Sequence, residues 1–169
     1  METNFKPISQ AGIAEAISKA QVYRYLNEPG EAESICRDIL AIDADNQAAL
    51  RLLGLAITDQ FDGSTSDRDA EAEAVFRNLT NEYERIYHRG IVHERKAKAQ
   101  LRAGRLTHTL LPIFEEAMRC FEDAEKIRPA NNDDAILRWN RCLRLLQSRM
   151  GSEWRKDMEE FDASEGPPV

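Results

Sequence analysis

The chain has little of what membrane insertion or catalysis requires. No stretch approaches the roughly eighteen uninterrupted apolar residues that span a bilayer, and the start, METNFKPISQ, has neither the basic lead nor the apolar core of a secretory signal. A soluble, cytoplasmic protein is the expectation. Glycine-rich phosphate loops, H-E-x2-H, G-x-S-x-G and C-x2-C pairs are all missing, so enzymatic activity is not expected. Cysteine is scarce: Cys36, Cys120 and Cys142 stand far apart, inside helical apolar patterns, and read as buried free thiols. His88, His93 and His108 are neither i,i+4 partners nor near a cysteine at ligand spacing, so no metal and no cofactor is expected. Acids outnumber bases, 30 to 23, and the net charge of −7 argues against a generic nucleic-acid binder. The local run Arg95, Lys96, Lys98, Arg102 and Arg105 also lacks interleaved aromatics on which bases could stack.

What is present is helical periodicity. At 169 residues, 42% of them hydrophobic, the chain is long enough for one well-packed domain and too short for two. In Glu115 to Pro129, Ala117, Phe121 and Ala124 recur at i, i+4 and i+7 on one stripe, and Pro129 stops the helix. Ala72-x3-Phe76-x2-Leu79 and Ala32-x3-Cys36 are weaker copies of the same step. Between them, Gln47 to Thr58 carries Leu50-x2-Leu53-Gly54-x2-Ile57, and one period earlier Ala20 lies under Gly54 and Tyr23 under Ile57. Asn27-Glu28-Pro29-Gly30 and Asp43-Ala44-Asp45-Asn46 punctuate these helices as turns.

This alternation of a Leu-Gly helix with an Ala-x3-Phe helix closed by proline resembles the tetratricopeptide repeat family. The resemblance implies an all-α fold: about three degenerate αα-hairpins stacked into a right-handed superhelix, with a terminal capping helix, seven to eight helices in all. A single domain is expected over 9–161, with hairpins at 9–44, 46–86 and 87–130 and terminal helices at 132–161. A flexible start, 1–8, and a disordered acidic tail, 162–169, flank it. Nothing marks the junction between the second and third hairpins, because Thr80 to Tyr87 contains neither Gly nor Pro. Ala97 is taken as the small residue of the third first-helix.

Two segments depart from the repeat. Phe61 to Asp67 is an inserted loop, and Leu106 to Phe114 is a longer insertion in which Thr107 or Thr109 caps a helix with Pro112 in its first turn. Leu110, Leu111, Ile113 and Phe114 offer more apolar surface than one repeat needs; packing on the neighbouring overhang and homo-oligomerisation are the two readings. The run His93 to Arg105 reads as a solvated helix face. Gly151 is expected to end the long helix from Ala135, and Ser152 to start a short cap with the stripe Trp154, Met158, Phe161.

The family resemblance implies that first helices line a concave groove for a partner peptide or helix. Carried over around Ala20, Gly54 and Ala97, the groove residues are Gln21, Arg24, Tyr25, Arg51, Leu55, Asp59, Glu94, Lys98, Leu101 and Arg102, with Arg144 from the last helix. Ile17, Thr58 and Asn140 fall beside them. Arg24, Arg51, Lys98, Arg102 and Arg144 against Asp59 and Glu94 make a formally basic groove in an acidic chain. The expected function is a protein–protein interaction adaptor or scaffold taking an acidic peptide, with nucleic acid and membrane disfavoured. A chaperone-like holder of a partner segment and a self-assembling structural protein are the alternatives. Ile17 and Gln21 replace the Lys/Asn carboxylate clamp of the chaperone-tail binders, which disfavours that partner.

Overall fold

Turn chemistry sets the element boundaries. In the computed structural model the described residues, 4–64 and 67–164, form seven α-helices and no strand. The side chains of 154, 155 and 157–164 lie outside the description. The helices are α1 (Ile13–Tyr25), α2 (Pro29–Ile42), α3 (Gln47–Asp59), α4 (Arg68–Arg77), α5 (Glu82–Arg102), α6 (Thr107–Lys126) and α7 (Asp134–Ser164). Asn27, at φ 60°, turns the chain out of α1, and Pro29 opens α2, where its missing N–H costs nothing. Asn46 and Asn81 cap α3 and α5: their side-chain oxygens accept from the N–H groups of Ala49 and Glu84, each at 3.0 Å. Gly104, at φ 90°, closes α5 in the left-handed conformation that favours glycine.

The cap at Asn81 corrects the expected junction at 86/87, which falls inside α5. The chain changes direction at Leu79–Asn81 by an asparagine cap, a weaker signal in sequence than Gly or Pro. Helix-to-helix packing is sequential from α1 to α7, and α1 also touches α3, as α3 touches α5. The first helices of the three hairpins are therefore neighbours.

Apolar side chains gather into two large clusters. One draws on α1 to α4 and Val92, centred on Cys36, Leu53, Ile57 and Phe76. The other draws on α5 to α7, centred on Ile91, Phe114, Phe121 and Cys142. Leu55 packs against both. Leu110 and Phe114 are buried in the second cluster and Leu111 and Ile113 pack on it, which is the first of the two readings of this segment.

Within each of the later hairpins a glycine makes the close approach possible. A Cβ on Gly54 would stand 2.3 Å from the Phe76 ring, and one on Gly90 would stand 2.7 Å from the Phe121 ring. Gly90, not Ala97, is thus the counterpart of Gly54. The third hairpin had been aligned two helical turns too late.

The C-terminal end also differs from expectation. Gly151 lies within α7, which continues to Ser164, because no proline or left-handed residue stops it. The Trp154, Met158, Phe161 stripe falls on side chains outside the described residues, as do the tail residues 165–169. Pro112 lies in the second turn of α6, since helix begins at Thr107. That entry is held by α7: Glu153 Oε1 accepts from the Thr107 N–H at 3.0 Å and from its hydroxyl. A carboxylate at a helix N-terminus satisfies an orphan donor and complements the helix dipole.

His88 makes the fold sensitive to mild acid. Its ring stacks on Phe76 at 4.7 Å, meets Tyr87 edge-on, and Nδ1–H donates to the Glu84 carbonyl at 2.7 Å. Burial pushes the imidazole down to about 4. The folded protein therefore refuses a proton that the unfolded chain accepts near pH 6.5, so stability is lost as pH falls from about 6.5 to about 4. The loss attributable to His88 is expected to reach about 3 kcal/mol. Thermal unfolding of wild type and His88→Gln between pH 7 and pH 4 checks it, and parallel curves would remove His88 as the cause.

Candidate functional site

Five of the expected groove residues come together. Gln21, Arg24 and Tyr25 from α1 and Arg51 and Leu55 from α3, with Ala48 and Leu52, line a cleft of ≈ 200 Å³. Tyr25 is 85% exposed at its edge. Helical spacing explains the gathering: Gln21, Arg24 and Tyr25 share one face of α1, as Ala48, Arg51, Leu52 and Leu55 share one face of α3. Arg51 reaches Glu84 of α5 through Nη2 at 2.7 Å, while its Nε is buried without an acceptor among the described residues.

Asp59 closes the end of this cleft by bridging three helices. Arg24 of α1 donates from Nε to Asp59 Oδ2 at 2.7 Å, and Arg95 of α5 pairs with Oδ1. The Arg95 guanidinium also donates to the Leu55 carbonyl at 3.1 Å and to the Thr58 hydroxyl. Burial draws Arg95 below its ordinary value, with Asp59 opposing that shift.

Glu94, the next residue, is fully buried. Lys98 pairs with its Oε1, and Arg138 of α7 donates to Oε2 at 3.1 Å. Arg138 also bonds the Tyr87 hydroxyl. The reading of His93 to Arg105 as a solvated face is therefore wrong at its start: Glu94 is buried and Arg95 half-buried, each against a partner of opposite charge.

Other expected residues stay apart from the cleft. Leu101 packs into the second apolar cluster, and Arg102 makes only a 3.4 Å bond to the Phe61 carbonyl. Arg144 is exposed on α7, with no ion-pair partner among the described residues. Arg95, Glu84 and Arg138 were missed by the sequence reading. Gly90 was the available signal, because aligning it with Gly54 puts Arg95 level with Asp59.

Cations still outnumber acids around the bridged helices: Arg24, Arg51, Arg95, Lys98 and Arg138 face Asp59, Glu84 and Glu94. The cleft can therefore offer charge-assisted hydrogen bonds to a carboxylate beside apolar contact from Tyr25, Leu52 and Leu55. Among the described residues one group has metal-ligand proximity, His93, Glu116 and Cys120, and it lies outside this cleft. No described helix is long and apolar enough to cross a membrane. No protein-family model matches the chain, and neither does any curated protein or solved structure.

Proposed function

We propose that this chain is a protein–protein interaction module of the tetratricopeptide kind, which binds a carboxylate-bearing peptide segment in the α1–α3 cleft. The observation that supports this reading is Arg51. Its side chain, 38% exposed, lines a cleft whose rim carries an exposed tyrosine. Tyr25 supplies a rigid, amphipathic contact of the type that dominates binding energy.

Basic surplus around the first helices would steer an acidic segment toward the cleft. The mutual contacts of α1 with α3 and of α3 with α5 support a stacked-hairpin superhelix, the architecture that presents first helices on one concave side.

Selection from a random peptide-display library tests the proposal. The expected consensus contains Asp, Glu or a free C-terminal carboxylate, and Tyr25→Ala with Arg51→Ala is expected to weaken the selected peptide at least tenfold. Arg51 keeps 38% of its side chain exposed in its pair with Glu84, so its removal leaves the fold nearly undisturbed. A consensus without acidic residues, or affinity unchanged in the double variant, would overturn the reading.

A further inference from the structure

Where α4, α5 and α6 meet, the fold assembles donors that the sequence holds far apart. Glu116 and Cys120 are one turn apart on α6, and His93 comes from α5; one ligand atom from each lies within 4.8 Å of the others. The Cys120 sulfur stands 4.0 Å from Glu116 Oε1. Glu73 of α4 adds a fourth donor, with Oε1 3.7 Å from His93 Nε2. That ring nitrogen is buried and has no hydrogen-bond partner among the described residues. A buried, unsatisfied imidazole nitrogen 3.7 Å from a carboxylate calls for an explanation, since such atoms are rare in folded proteins.

We propose that His93, Cys120, Glu116 and Glu73 bind a zinc ion. One nitrogen, one sulfur and two carboxylate oxygens form a donor set suited to this borderline metal. With Zn–S near 2.3 Å and Zn–N and Zn–O near 2.1 Å, donor-to-donor edges of a tetrahedron are about 3.4–3.7 Å. The 3.7 Å and 4.0 Å separations already approach that; the remaining edges among His93, Glu116 and Cys120, up to 4.8 Å, need contraction of about 1 Å, and Glu73 must swing inward to complete the tetrahedron. Burial keeps the His93 imidazole neutral, so its lone pair is available, and it keeps the Cys120 thiol protonated, so binding releases that proton to water.

The neighbouring arginines fit the same arrangement. Arg89 donates to Glu116 Oε1 at 3.0 Å, and Arg119 pairs with Oε2. A carboxylate has lone pairs enough to ligate a metal and accept from arginine together. A thiolate and two carboxylates around Zn²⁺ leave one net negative charge, which Arg89 beside the site offsets. Metal-bound carboxylates are commonly oriented by such outer partners. Glu73 and Arg89 also line a surface cleft of ≈ 290 Å³.

Titration of the full chain with Co²⁺, followed by displacement with Zn²⁺, tests the site. The expected result is one tetrahedral cobalt with a sulfur-to-metal charge-transfer band, displaced by stoichiometric zinc with a rise in Tm. Cys120→Ala should abolish the band. Glu73→Gln, at a half-exposed position where folding is safe, should weaken zinc about tenfold, within the range seen for altered metal surroundings. Octahedral cobalt without the sulfur band, zinc without effect on Tm, or binding undiminished in both variants would overturn the proposal.

Discussion

Glu94→Ala is expected to lower stability by about 3–5 kcal/mol, the cost of removing one member of a buried ion pair and leaving its partners uncompensated. The carboxylate is 0% exposed, and it is the common acceptor for Lys98 of its own helix and Arg138 of α7. At this chain length the change corresponds to a Tm roughly 6–20 °C lower. Lys98 keeps 24% of its side chain exposed and can turn outward, which favours the lower part of the range. Arg138 retains the Tyr87 hydroxyl but loses its counter-charge. The double variant Glu94→Met/Arg138→Met should recover most of the loss, because apolar replacement of a buried pair is often neutral or stabilising. Thermal or denaturant unfolding of the three proteins decides the matter; a single variant within about 1 kcal/mol of wild type would show that Glu94 is solvated after all.

Gly54→Ala is expected to destabilise, against the usual benefit of alanine in a helix. Intrinsic propensity favours alanine over glycine by about 1 kcal/mol. Here the new methyl would meet Phe76 ring atoms at 2.3 Å and 2.4 Å, and that ring is 2% exposed, with no room to retreat. Overpacking of this kind costs about 1–3 kcal/mol or more, so the net change is a loss. Gly90→Ala should behave in the same way against Phe121, 2.7 Å away. Gly151→Ala is the internal control: its Cβ would meet nothing within 4 Å, and it should stabilise by about 0.5–1 kcal/mol. In Gly54→Ala/Phe76→Leu the penalties should be less than additive, which chevron or equilibrium denaturation can read as a coupling energy. Additive penalties would mean that the two residues do not meet.

The helices were legible because their ends are written locally. Pro29 and Asn46 act through their own local preferences, so position alone announces them. Gly54 and Phe76 each stood out in their own helical pattern, but that the ring fills the space over the glycine emerges only from the packing of α3 on α4. Asn81 escaped notice because it lacks the neighbouring aspartates that mark Asn46 in Asp43-Ala44-Asp45-Asn46, and with it went the alignment of the third hairpin. Choosing Ala97 over Gly90 followed, since both are small and only the ring of Phe121 distinguishes them.

Part of the candidate site was readable for the same reason. Arg24, Tyr25, Arg51 and Leu55 lie at fixed helical offsets from Ala20 and Gly54 and share one cleft. Glu94 and Arg95 were misread because a charged residue is ordinarily solvated. Their burial depends on Arg138 and Asp59, supplied from helices far along the chain. His93 and Cys120 come together only after α5 and α6 pack, and no spacing rule anticipates that.

The two apolar clusters meet along a polar seam, and the seam has a mechanical meaning. Arg51–Glu84, Arg95–Asp59 and Lys96–Asp69 cross from α3 and α4 to α5, while Leu55 is the one side chain common to the membership of both large clusters. Separating the halves there would uncover Val92 and the Phe76–His88 stack and strip Arg95 of Asp59. The hairpins on either side would stay whole. A ligand seated on Leu55 would touch a side chain shared by both halves.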